Sequence, residues 1–522
     1  MKSAEKQSHD IELAGPGERE GVAVDEGGIG IRPSTPPLPV LRNILSRWNV
    51  KIEGLSGLEA RGIARVLPED RNLFRGRSDY KGMFTLWFGT NLCVLTLIPG
   101  LLGPLIFSLG WVDSVCIVIF ANALSACGPA YMATFGAASG NRTMILSRHF
   151  MGYWPSKLTC LLNIVMQIGW GTVGAIVAGQ MLSAVSGNGL SVVPGCVIGA
   201  LGIGVIATLG IGIVHTYERY AWIPQACALF ILVGSSGGGW NTGLASVGSS
   251  ATIAANRCSF FALEFGVVVG FSAVAADLYV YYPPGISKPL VFLSTWSGLW
   301  LSSLIAGIIG VGIGTGVPTK PSWAEAYSVS SGALLLECYR GLGGLGGVCV
   351  VILALGSIAN NAPATYAGAN TCQVLGRYAK AIPRWVWCVI LVSIELICSV
   401  SGRDNLYGIF ENLLPIMSYW VCPWLAIVLE EHLLFHSLCG LEFDWTAWED
   451  RDRLPVGLAA LVSWLVGWAG ALLGMSQVWY QGALAQMIGD SGGDIGAWVA
   501  IAFAGITYPP LRYAELRIFT GR

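Results

Sequence analysis

The chain has 522 residues, 54% of them apolar, with 30 Lys/Arg against 31 Asp/Glu and 69 glycines. Charged residues make up 12%, about half of what a soluble protein devotes to its surface. The first 81 residues alone hold 13 Lys/Arg and 12 Asp/Glu, and the 36 charges left for the other 441 cannot solvate a globular surface. A soluble enzyme, a secreted disulfide scaffold and a nucleic-acid binder are thereby excluded, the last also by a net charge of −1 that attracts no polyanion.

In chain order, residues 1–81 form a polar tail with mixed charge and a Pro-Ser-Thr-Pro-Pro run at 33–37. Most of it is expected to be disordered. No apolar stretch of a secretory signal follows the initial charges, so the first membrane span is expected to act as an uncleaved signal. About 20 apolar residues are needed to cross the hydrocarbon as a helix, because lipid satisfies no backbone amide. On that criterion twelve spans fall near 84–107, 114–135, 158–182, 190–214, 221–236, 260–282, 290–316, 345–371, 383–400, 406–434, 456–480 and 496–513, and 514–522 are left as a short tail. With the N-terminus in the cytosol, 26 of the 30 Lys/Arg lie on the cytosolic side, leaving Arg257, Lys320, Arg340 and Arg403 outside. That bias supports an even number of spans with both termini cytosolic, and it places the sequon at Asn141 on the wrong side for glycosylation. The 14 cysteines fall singly, mostly within apolar runs, and none has C-x-x-C spacing. They read as small buried hydrophobes, without a metal cluster or cofactor.

Glycine and proline interrupt several spans at membrane depth, at Pro99-Gly100 and Gly103-Pro104 in the first, Gly266 and Gly270 in the sixth, and Asn360-Asn361-Ala362-Pro363 in the eighth. Broken helices in a membrane either line a watery substrate cavity or let neighbouring helices pack closely through small residues. The adjacent amides Asn360 and Asn361 favour the first reading, since both must hydrogen-bond something in hydrocarbon. Trp170, between Gly169 and Gly171 in mid-span, is either core or a ring face open to a planar ligand. Carboxylates within spans are Glu264, Asp277, Glu395, Glu411 and Glu430, each a proton-carrier candidate or a structural hydrogen-bond partner. Glu430-Glu431-His432 is expected at the cytosolic interface. The G-x-G-x-x-G match at Gly341–Gly346 follows no strand, so it is no dinucleotide site, and nucleotide-driven pumping and hydrolase chemistry have no motif.

Four stretches together resemble the nucleobase-cation symporter family: Ala133 to Arg148, Gly169-Trp170, Ala275-Ala-Asp277 followed by Pro283, and Ala359-Asn-Asn-Ala-Pro363. The C-terminal runs Phe443-Asp-Trp445, Leu454-Pro-Val-Gly, Val466-Gly-Trp-Ala-Gly470 and Tyr508-Pro-Pro-Leu-Arg512 are similar to its fungal purine-cytosine permease branch. The resemblance covers the chain from about residue 45 onward. It implies an all-α membrane protein with a LeuT-like fold: two five-helix repeats of inverted topology, residues 82–236 and 260–434, plus two peripheral helices at 456–513. It further implies a plasma-membrane carrier that imports a small heterocycle of the nucleobase type together with a proton, in contact with lipid and needing no nucleic acid.

In the family pattern the base stacks between aromatics of the third and sixth spans, which here are Trp170 and Phe271, while amides of the third and eighth read its edge. Asn360, Asn361 and Pro363 match, but Gly174 and Ala364 stand where an amide is usual, so a larger and more apolar chamber is expected. Unwound backbone at Gly89 to Asn91 would complete the substrate site. Pro99, Gly100, Gly270 and Pro363 would serve as helix breaks, and Glu264, Asp277 and Glu395 as proton-coupling candidates. Ile358 and Ala359 stand where a sodium site wants hydroxyl oxygens. The alternatives are a carrier of another ring compound, such as a vitamin-like pyridine or a hydantoin, and a non-transporting nutrient receptor that signals through the tail. An enzyme is not expected, since no nucleophile, base and orienting group occur together.

Overall fold

The computed structural model describes residues 62–519 apart from 188, 210 and 491, and of 211–219 only the backbone. Most of the polar tail therefore lies outside the described residues. Helices fill all twelve predicted positions. Nine are individually long and apolar enough to cross a membrane, and Arg77–Asn91 with Val94–Leu105 makes a tenth, bent by 55° at its break. The remaining two are Leu458–Gly474, which is shorter, and Gly496–Phe519, which falls short of that apolarity. Helices outside the spans were not legible in the sequence, among them Pro321–Val329 and Ser331–Cys338. These two form a helical pair against the end of the third span, where the Ser331 hydroxyl donates to Gln180 Oε1 at 2.6 Å.

The third span (Ser156–Val185) packs on the fourth, eighth and ninth, and the seventh (Lys288–Gly316) packs on the first and second. The last two helices pack on each other and on the tenth. Close approach in the first–seventh contact rests on small residues. A Cβ on Gly100 would lie 2.3 Å from the Gly307 carbonyl, and one on Gly310 would lie 2.0 Å from that of Leu97.

This contact corrects one expectation. The first span does not break at Pro99 or Gly100, because helix Val94–Leu105 runs through both, along with Pro104. It breaks at Leu92–Cys93, where Cys93 is extended, and the Asn91 side chain spans the gap by accepting from Thr96 Oγ1 at 3.2 Å and donating to Ser303 Oγ at 2.5 Å. In the sixth span the α-helix ends at Val269 and continues as two short 3₁₀ turns, Gly270–Ala273 and Ala275–Leu278. Gly270 therefore marks the change from α to 3₁₀ while keeping helical dihedrals (φ −57°, ψ −32°), and the backbone leaves the helix only at Val274 (φ −131°), whereas Gly266 is a packing glycine whose Cβ would lie 2.3 Å from the Leu414 carbonyl. Pro363 does not break the eighth span either, since one helix covers Gly344–Val374. Losing one amide donor is tolerated in the middle of a long helix buried among others.

Ordered chain extends further at both ends than the sequence suggested. Ile63 and Val66 are buried, Arg71 donates to the carbonyls of Val66 and Ala137, and Arg65 donates to that of Ser139. Gly140, in the left-handed region at φ 71°, is required there, because a Cβ would lie 2.3 Å from both Arg71 Nη2 and the Val66 carbonyl. At the other end the twelfth helix continues to Phe519, leaving no separate tail at 514–519.

Candidate substrate site

The two breaks, the third span and the eighth converge. Trp170 is 8% exposed and, among the described residues, stacks on no other ring. Gly270 of the sixth span lies beside it: a Cβ there would meet Trp170 Nε1 at 3.8 Å, an ordinary contact, and Met166 Sδ more tightly at 3.2 Å. The next residue, Phe271, is half-buried and meets Trp87 of the first span edge-on, with centroids 5.4 Å apart and planes at 71°. Trp87 is fixed in turn, its Nε1 donating to the Tyr279 hydroxyl at 2.9 Å.

The eighth span supplies the polar groups. Asn360 donates to the Thr90 carbonyl at 2.5 Å and so ties this helix to the last turn before the first-span break. Asn361 donates to the Ser357 carbonyl of its own helix at 3.0 Å, while its Oδ1 is buried without a hydrogen-bond partner. The carboxamide lies directly over Gly174, where a Cβ would come within 1.8 Å of Nδ2. Gly174 therefore does not enlarge the chamber as the sequence suggested, because an amide from the opposite helix fills that place. Ala364, 5% exposed, adds no polar group. Gly89 is buried in the last turn before the break, and Asn91 is committed to holding the break itself.

A Gly174→Asn chain is expected to fold, because the obstructing atom is the movable end of a side chain, yet to displace Asn361. We expect substrate affinity to fall about tenfold, some 1.4 kcal/mol, in a binding assay on purified protein. Gly174→Ala should do less.

The three proton candidates separate. Asp277 accepts from the Thr143 amide at 2.6 Å, at the start of helix Thr143–Met151, and so anchors a loop helix. Glu264 accepts from Asn122 of the second span at 2.9 Å, on a helix that packs against the second and tenth spans. Glu395 of the ninth span lies against the third and eighth spans beside the site. Glu431, at the end of the tenth span, is not open to solvent. It is fully buried and is held by Arg512 and Tyr508, with Arg512 Nη2 2.7 Å from Oε1.

Around the Asp277 anchor the conspicuous stretch from Ala133 to Arg148 becomes a clamp. Arg148 donates to the carbonyls of Trp448 and Val374 at 2.9 Å, and Asn141 donates to that of Trp445 at 3.1 Å. His149, in the same loop helix and outside the spans, packs edge-on to Trp445 with its Nε2 unpartnered. Burial, only partly opposed by Asp444, lowers its pKa to about 4. The unfolded chain then binds this proton near pH 6.5 and the folded one only near 4, so stability is full above 6.5 and declines as pH falls toward 4. The loss is at most roughly 3 kcal/mol at about 1.4 kcal/mol per pH unit. Thermal unfolding in detergent should show His149→Phe losing less of its midpoint than the parent between neutral and acid pH.

Long apolar helices, one broken at mid-length and another ending in 3₁₀ turns, with rings and amides gathered there, define a multi-pass membrane transporter of the LeuT-like fold. The chain belongs to the nucleobase-cation symporter family: the family model described as "Permease for cytosine/purines, uracil, thiamine, allantoin" matches residues 77–499. Among curated relatives it is 33% identical to the purine-cytosine permease fcyB of Emericella nidulans over 88% of this chain and 90% of that one. It is 29% identical to the vitamin B6 transporter TPN1 of Saccharomyces cerevisiae over 96% and 95%. The fold matches that of Mhp1, a nucleobase-cation-symport-1 transporter solved closed with bromovinylhydantoin, at a TM-score of 0.64 and 14% identity, over 89% of this chain and 97% of that chain.

Proposed function

We propose that the protein imports a planar nitrogen heterocycle of the purine or cytosine type by proton symport through alternating access, across the plasma membrane, with twelve spans and both termini cytosolic. The observation that carries this reading is the Trp170–Asn361 juxtaposition. Trp170 and Gly174 stand one helical turn apart on the same face, and the unpartnered Asn361 Oδ1 belongs to the amide over Gly174. A buried acceptor without a donor costs about 1–3 kcal/mol, which a ring N–H or exocyclic amine of a base lying on the indole would recover. The break at Leu92–Cys93 and the 3₁₀ turns that begin at Gly270 support this reading, since discontinuous helices of two inverted repeats, 82–236 and 260–434, would carry a substrate between them. Coupling to protons is favoured over sodium because Ile358 and Ala359 bring no hydroxyl and Ser357 Oγ is turned to the Leu353 carbonyl.

A second reading, a pyridine-type vitamin, is favoured by Ala364, which brings no polar group, and by the full-length similarity to a vitamin B6 transporter. Uptake of labelled adenine in cells lacking their own base and pyridine carriers, with unlabelled cytosine, purines and pyridoxine as competitors, separates the two. Competition by purines or cytosine supports the first. Uptake of labelled pyridoxine that no purine or cytosine inhibits supports the second. Repetition at two external pH values, with and without sodium, tests the coupling ion.

A further inference from the structure

The third, fourth, eighth and ninth spans pack together, and their 98 residues contain three charges: Lys157, Arg384 and Glu395. The two cations stand at helix starts. Lys157 is 14 residues from Gly171 along the third span, roughly 21 Å at the helical rise. Arg384, three turns before Glu395, spends its guanidinium on the carbonyls of Ala207 and Thr208, at 2.7 and 2.9 Å. Glu395 itself has no exposed surface. Its carboxyl group rests on Gly171, where a Cβ would lie 2.2 Å from Cδ and 2.5 Å from both oxygens. Among the described residues its donor is one hydroxyl, Thr365 Oγ1, at 3.1 and 3.4 Å. Nearby titratable groups are thiols: Cys388 two turns earlier on the same helix and Cys196 of the fourth span, which packs near Ser399. Gly171 follows Trp170 and Thr365 follows Ala364, so the acid sits immediately behind both walls of the substrate site.

An ionised carboxylate facing no cation and a single hydroxyl donor carries a desolvation cost of several kcal/mol, while its protonated form carries only that of an ordinary polar group. Ionisation of this acid therefore requires water to reach it. Asp277 is occupied in anchoring a loop helix, and Glu264, although as deeply buried and with Oε1 unpartnered, belongs to a helix packed on the second and tenth spans rather than beside Trp170 and Ala364. We infer that Glu395 takes up the coupled proton on the substrate-entry side and releases it on the other, the carboxylate becoming the acid and returning to carboxylate once per cycle. This rests on the proton-symport reading and specifies its carrier.

The test compares wild type, Glu395→Gln, Glu264→Gln and Thr365→Val, all reconstituted in vesicles with labelled adenine, or labelled pyridoxine if that is the substrate established. Wild type should accumulate substrate under an imposed pH gradient. Glu395→Gln, which mimics the protonated acid, should lose that accumulation at least tenfold while exchange of internal for external substrate persists, and Glu264→Gln should still accumulate it. Thr365→Val removes the donor that favours the ionised form, so the pH midpoint of its uptake should move upward. The last variant keeps the assignment open to refutation should Glu395→Gln fail to fold. Gradient-driven accumulation at the wild-type level by Glu395→Gln, or an unmoved midpoint in Thr365→Val, overturns the assignment while leaving proton symport intact. Wild type indifferent to the pH gradient overturns proton symport, and the carrier with it.

Discussion

Trp170→Ala is expected to raise the substrate concentration needed for half-maximal uptake by roughly 5- to 150-fold while surface expression stays near that of the parent. The estimate follows from base–aromatic stacking, worth about 1–3 kcal/mol per base on truncation to alanine, at about 1.4 kcal/mol per tenfold. Folding should survive, because Trp170 is 8% exposed and stacks on no other ring among the described residues. Trp170→Phe should recover most of the affinity, since a phenyl ring still presents a face. Phe271→Ala should cost less affinity than Trp170→Ala, because Phe271 is already engaged edge-on by Trp87. Saturation curves for uptake, normalised to surface protein, check all three. An unchanged curve for Trp170→Ala would remove the stacking platform from the account.

Much of this site was legible in the sequence because its signals are local. A tryptophan between glycines in mid-span, adjacent asparagines before a proline and a glycine at a helix break each stand out against an apolar background. Backbone breaks were harder to place. Proline and glycine are the expected breakers, yet Pro99 and Pro104 lie within a helix and Pro363 within another. The first break instead falls at Leu92–Cys93, where stabilisation comes from the side-chain bonds of Asn91 to Ser303, 212 residues away, and to Thr96. No window of sequence contains that pairing. The place of Asn361 over Gly174 was hidden for the same reason, since it depends on how closely the third and eighth spans approach.

Long-range pairing likewise decides the surroundings of Glu431, whose partners no local stretch of sequence reveals. Arg512→Ala is expected to leave little folded protein at the surface. Arg512 is 7% exposed and lies in the last helix, reaching Glu431 through Nε at 3.0 Å and Nη2 at 2.7 Å, and Glu515 through Nη1 at 2.6 Å. Glu515 in turn accepts from the Ala459 amide at 2.8 Å, in the first turn of helix Leu458–Gly474, so one guanidinium connects the tenth, eleventh and twelfth helices. Removing it strands a fully buried carboxylate with Tyr508 Oη as a donor and His436 3.5 Å away. Breaking a buried pair from one side costs about 3–5 kcal/mol, a large share of the roughly 5–15 kcal/mol by which folded proteins are stable. Arg512→Lys should rescue partially, keeping charge but losing the two-nitrogen grip on Glu431. Pairing Arg512→Gln with Glu431→Gln should restore more protein than either change alone, because the uncompensated charge is gone. Fluorescence-detected size-exclusion of tagged variants gives the folded fraction, and a double mutant no better than Arg512→Gln alone would show that the buried charge is not what destabilises the single variant.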